Sequence, residues 1–141
     1  MQNPRLTTKR PQSFLTLIVL VHLAVAVLHG SAHRGAQVLL PPAANAFVIG
    51  VIIIGPLIGL VMMWVVGRGG AVLVAVTMMG AFLFGVINHF VLQGDDHVSH
   101  VADQWRTLFG TTAAFLALFE AAGAVYATRL ALRYNPREVT P

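Results

Sequence analysis

The sequence predicts an all-α protein, an integral membrane four-helix bundle with both termini cytoplasmic. Three observations carry that expectation. Of 141 residues, 57% are hydrophobic and only 10% are charged, where a soluble domain carries about 25% charged residues. So little charge cannot cover a water-facing surface, and lipid is the expected solvent. Four apolar stretches, at 14–33, 43–66, 71–92 and 105–132, each reach or approach the ~20 residues that cross a bilayer as a helix. The basic residues are unevenly placed around them: Arg5, Lys9, Arg10, Arg68, Arg129, Arg133 and Arg137 fall on one side of a four-span chain, and only Arg34 and Arg106 on the other. Basic residues mark the cytoplasmic side. The polar loops 34–42 and 93–104 then face outwards, and the membrane is read as a bacterial inner (plasma) membrane.

The first stretch follows a polar, basic tail over 1–13 that contains Pro4 and Pro11. This tail and the apolar run after it also resemble the start of a signal peptide, with Gly30-Ser31-Ala32 as a small-residue cleavage site. Three histidines inside and just after the run argue for a retained span. His22, His29 and His33 are spaced by seven and four residues, so at about 100° per residue they share one narrow stripe of a helix.

Pro41-Pro42 stops any earlier helix, and the second span begins just after it. Gly55 and Gly59 form a GxxxG pair that lets another helix approach closely. Pro56 removes a backbone donor and predicts a kink. Gly67-Arg68-Gly69-Gly70 is a tight turn, so spans two and three form an antiparallel hairpin. The last span carries Glu120 among small residues, and Trp105 and Tyr134 stand near its ends as interfacial anchors.

The chemistry-bearing residues fall into two groups. His29, His33, His89, His97 and His100 collect at the outer end, with Asp95, Asp96 and Asp103 among them. Imidazole nitrogen with carboxylate oxygen suits a divalent transition metal such as Cu, Zn or Fe. The i,i+4 pair His29/His33 and the i,i+3 pair His97/His100 can each converge on one ion, so the expected ligands are His29, His33, Asp95, His97 and His100. Asp96, in Gly94-Asp95-Asp96, is expected instead to cap free N–H groups near Ser99. A single haem b between His29 and His89 is the other cofactor expected, with Gly85 leaving room one turn away.

His22 and Glu120 form the second group. His22 lies about 12 Å from the inner start of its span and Glu120 about 15 Å from the inner end of its own, at 1.5 Å per residue. A lone carboxylate in lipid is costly, so the two are expected to pair. Asn88 is expected to hydrogen-bond across the bundle, and Met62, Met63, Met78 and Met79 to fill gaps between the hairpin spans.

Several classes are excluded or disfavoured. Without cysteine there is no disulfide, thiolate metal site or cysteine nucleophile. No nucleophile-elbow, phosphate-loop or dinucleotide motif is present, so no enzyme class is indicated. The net charge of +4 is spent on span flanks and forms no patch for nucleic acid. The expected function is an outward His/Asp metal or haem site serving electron transfer or metal handling. The alternatives are a non-catalytic accessory subunit of a larger membrane complex or homo-oligomer, and a proton or ion pathway through His22 and Glu120.

Overall fold

A computed structural model describes residues 5–134. Segments 1–4 and 135–141, including Arg137, lie outside the described residues. The described chain is all-helical, with four helices long and apolar enough to cross a membrane. We label them α1 (Arg5–Gly35), α2 (Pro42–Val66), α3 (Arg68–Val91) and α4 (Asp103–Arg133).

The helix α1 begins earlier than the apolar run, at Arg5, and continues through Pro11. It ends in a Schellman turn: the Val38 N–H donates to the His33 carbonyl (3.0 Å) and the Gln37 N–H to the Arg34 carbonyl (3.2 Å). That turn requires a left-handed residue at position 37, and Gln37 takes it with φ 56° where glycine is usual.

Proline shapes α2. The span is π-helical over Val48–Ile54, and the Gly55 N–H reaches back to the Gly50 carbonyl. Pro56 lacks an N–H and its ring crowds the carbonyl four residues earlier, so the wider turn just before it relieves that clash. The expected kink is realised as this widened segment.

A single left-handed residue, Gly67 (φ 68°), joins α2 to α3. The two helices run so close that a Cβ on Gly70 would lie 1.9 Å from the Met63 backbone nitrogen. Cβ atoms on Gly55 and Gly59 would meet Thr77 and Val74 at 2.6 Å each. The GxxxG pair therefore faces α3. Met63 and Met78 fill the core beside this contact, with Leu15, Val19, Val74 and Ala127, whereas Met62 and Met79 are exposed.

The packing order is α2, α3, α4, α1. The helix α4 contacts both α3 and α1 extensively, whereas α1 meets α2 chiefly through the segment Gly55–Val66. Gln12 hydrogen-bonds the Tyr134 hydroxyl, and Tyr134 also covers Gly67. These contacts gather the start of α1, the α2–α3 turn and the end of α4 at one end of the bundle. Trp105 does more than mark an interface: its ring lies where a Cβ on Gly35 would be, 2.3 Å away, and packs onto the end of α1. Outward faces are apolar, with Leu17, Val27, Val61, Val76 and Leu118 all exposed, as a lipid-facing surface requires.

Gly70→Val should therefore separate α2 from α3 and cost about 1–3 kcal/mol or more. Gly50→Ala, where an added Cβ meets nothing within 4 Å, should leave stability within about 0.5 kcal/mol. Equilibrium unfolding in mixed micelles reads both, and equal effects would contradict the close approach.

Candidate metal centre

The buried stripe of α3 runs through Ala71, Val74, Met78 and Ala81 to Gly85 and His89, at steps of three and four residues. His89 therefore points where the core points. A π turn over Ile87–Val91 ends the helix, and the chain then folds back so that the Val98 N–H donates to the His89 carbonyl (3.0 Å). On α1 the matching stripe is Leu15, Ile18, Val19, His22, His29 and Ala32. The two stripes bring His29, His33 and His89 together, with one ring nitrogen from each lying within 4.8 Å of the others. Among the described residues no other group of three ligating side chains is this close.

Hydrogen bonding sets which nitrogen of each ring carries the proton. The Thr112 hydroxyl lies 2.7 Å from the Leu108 carbonyl and donates to it, so Thr112 Oγ1 accepts from His29 Nδ1–H (2.8 Å). His33 Nδ1–H donates to the Val38 carbonyl (3.2 Å), which the Schellman turn folds back over the ring. His89 Nδ1–H donates to the Asp96 carbonyl (3.1 Å). In each neutral ring, Nδ1 is the donor and Nε2 is left with its lone pair.

These lone pairs converge. His29 Nε2 and His89 Nε2 are 3.2 Å apart, and His33 Nε2 is 3.4 Å from Asp96 Oδ1. Asp96 Oδ2 lies 3.3 Å from His89 Nδ1, yet neither carboxylate oxygen has a properly directed donor. His29 Nε2 facing His89 Nε2, and the Asp96 carboxylate beside His33 Nε2, put electron-rich atoms close together in a way that a cation would relieve. Around a tetrahedral ion, nitrogens bound at 2.0–2.1 Å are about 3.3 Å apart, close to the separation seen here.

The surroundings are dry. The Phe109 ring packs against all three imidazoles, its centroid 4.7 Å from those of His29 and His33 and 5.2 Å from that of His89. Ala32, Val101 and Phe109 close this end with Val98, Trp105 and Val38.

The remaining expected ligands stand elsewhere. His97 and His100 face each other with ring centroids 5.6 Å apart and do not join the three-histidine group. His97 Nδ1 is engaged by Ser99 Oγ (2.7 Å) and the Ser99 N–H (3.2 Å), and Nε2 by Gln93 (3.3 Å). The exposed His100 bonds the Gly94 carbonyl through Nδ1 (2.8 Å). Asp95 is exposed, and Asp96 holds the inward position. The cap at Ser99 comes from His97, which leaves the Asp96 carboxylate free for the histidines. Asp103 pairs with Arg106 next to it on α4. Asn88 bonds the Phe84 carbonyl of its own helix and makes no bridge across the bundle.

Deeper in the bundle, His22 Nε2 lies 3.2 Å from Glu120 Oε1, both residues being almost fully buried. Thr112 was not among the expected site residues. The register implied by His22 opposite Glu120 brings His29, seven residues further along α1, opposite this part of α4, and that was its one signal.

A cavity of about 510 Å³ adjoins the histidines. His29, His33, His89 and Asp96 line one end of it and Glu120 the other, with apolar walls from Ile52, Ile53, Ala81, Phe84 and Leu116. No family model, curated protein or solved structure matches the chain.

Thr112→Val removes the acceptor of His29 Nδ1–H at nearly constant volume and should cost roughly 1–3 kcal/mol through a stranded buried donor. Thr111→Val, at an exposed position of the same turn, should change stability by less than about 0.5 kcal/mol. Unfolding in mixed micelles distinguishes them, and equal losses would sink the orienting role of Thr112.

Proposed function

We propose that the protein is a small membrane metalloprotein. It holds one divalent first-row transition metal ion, Cu, Zn or Fe, between His29, His33 and His89 at the outward end of its bundle, and keeps a coordination position open to the adjoining cavity. One observation carries this reading: a ring nitrogen of each of the three histidines lies within 4.8 Å of the others, while each Nδ1 bonds a separate acceptor. Metal-bound histidines are oriented by this kind of bond on the far nitrogen.

Three imidazoles suit Zn, Cu and Fe alike. The Asp96 carboxylate balances part of the ion's charge and turns the Asp96 carbonyl onto His89. Haem b fits less well, because two axial imidazoles must be separated by the macrocycle. His29 Nε2 and His89 Nε2 are only 3.2 Å apart, with His33 in the same group.

The role follows from the open position. Three histidine ligands beside a cavity would let an ion bind a further small molecule, with Asp96 near enough to assist, whereas a structural ion is fully enclosed by protein ligands. We therefore favour metal handling or chemistry at the ion over a purely structural or electron-passing role. The basic residues around the spans support an outward site.

Metal analysis of protein purified in mild detergent, without a polyhistidine tag, tests the reading. About one Cu, Zn or Fe per chain is expected for a single three-histidine site. His29→Ala, His33→Ala and His89→Ala should each lose most of it, while His97→Ala and His100→Ala retain it. Saturating metal at 100 times its dissociation constant should stabilise the wild type by about 2.7 kcal/mol. Unchanged metal content in the His29→Ala/His89→Ala double variant would overturn the site. A Soret band would replace the ion with haem, and a metal-free protein that co-purifies with a stoichiometric partner would favour an accessory subunit.

A further inference from the structure

The cavity carries a second polar feature that the metal does not use. Glu120 is 2% exposed, and its Oε1 is taken by His22. Its Oε2 is buried without any hydrogen-bond partner, and Glu120 lines the cavity. A buried carboxylate oxygen without a donor is costly, so the arrangement is complete only when something in the cavity supplies one.

We infer that the cavity binds a membrane-dissolved, hydroxyl-headed aromatic, of the phenol or hydroquinone class, whose O–H donates to Glu120 Oε2. The inference goes beyond the metal reading and does not depend on the ion being bound.

The shape of the site supports that class. At about 510 Å³ the space falls within the range of small-molecule pockets, ~300–1,000 Å³. Its walls are mostly apolar, so a charged amine would lose its hydration along them, and a carboxylate would face the Glu120 and Asp96 side chains. A neutral hydroxyl on a flat ring has neither problem. Gly85 provides the flat surface: a Cβ there would sit 3.8 Å from Glu120 Oε2 and 3.9 Å from His89 Cδ2. Because no side chain fills that place, a ring can lie against the α3 backbone beside Phe84.

The route of entry follows from the packing. The helix α1 packs on α2 chiefly at the Gly55–Val66 end, and the widened segment Val48–Ile54 makes little contact with it. The cavity occupies that gap, with Ala26 and Gly30 of α1 on one side and Ile52 and Ile53 on the other. Val27, Leu28, Ile49 and Ile54 flank it as exposed apolar residues. A molecule dissolved among lipid chains meets this gap sideways, without crossing water.

Equilibrium binding of a tritiated decyl-hydroquinone to the whole protein in lipid nanodiscs tests the inference, in metal-free and zinc-loaded samples. The matched control is the dimethyl ether of the same compound, which lacks the donor. Saturable binding is expected in both samples, about tenfold tighter for the hydroquinone than for the ether, which leaves Glu120 Oε2 without a donor. Glu120→Leu should abolish that preference. Because it also strands His22, Gly85→Leu serves as a second variant: it leaves the His22–Glu120 pair in place and should weaken both compounds about tenfold by occupying the ring's position.

Unsaturable partitioning that is the same in wild type and Gly85→Leu would overturn the inference. So would an undiminished hydroquinone preference in a folded Glu120→Leu protein. Binding that fails while the metal remains stoichiometric counts against this inference alone. Binding that succeeds in protein with no metal site counts against the metal reading alone.

Discussion

The α1–α4 interface is governed by one constraint: polar side chains surrounded by apolar ones must find each other. His22 and Glu120 are each nearly inaccessible and lie 3.2 Å apart. Sliding α1 by one turn along α4 would leave both without a partner, at a cost of several kcal/mol for the carboxylate alone. That contact sets the register of the two longest helices, and His29 then lands opposite Thr112 as a consequence. The position of the histidine cluster is thus inherited from a pair deeper in the bundle. The small residues Ala113, Gly123, Ala124 and Ala127 let the two helices come close enough for these contacts to form.

The three-histidine cluster is built from local devices on separate segments, each aiming one imidazole. For His29 it is a buried threonine whose own proton goes to its helix backbone. For His33 it is a Schellman turn that returns Val38 over the ring, and for His89 a π turn followed by a chain that folds back on it. None of these devices involves the Nε2 atoms of His29 and His89, which lie 3.2 Å apart. They act by occupying the opposite edge of each ring, and the low-dielectric packing around Phe109 raises the strength of every such bond.

The fold was legible because lipid simplifies the code: long apolar runs and a lopsided set of arginines suffice to count helices and pair them. Pairing His22 with Glu120 was equally accessible, since both depths can be measured from the span ends. The choice among the outer residues was not. Whether Asp95 or Asp96 turns inward depends on how the chain folds back after Leu92, and one hydrogen bond, Val98 to the His89 carbonyl, decides it. His97 and His100 have a spacing as suggestive as His29 and His33. A helix makes spacing into direction, however, and an irregular loop does not. Thr112 escaped notice because a threonine in an apolar helix ordinarily satisfies itself on its own backbone, which this one also does.

The order of packing along the chain has a consequence for assembly. The helices α2 and α3 are joined by a single residue and fit together through their glycines, so they can associate as soon as both are inserted. The helix α1 is held along its length chiefly by α4, its most distant partner in sequence. His29 and His33 therefore ride on a helix that takes its final place against α4, although His89 of α3 also touches both rings. The cluster is thus a property of the assembled bundle: α1 and α3 supply its imidazoles, and α4 brings Thr112 and Phe109 against them.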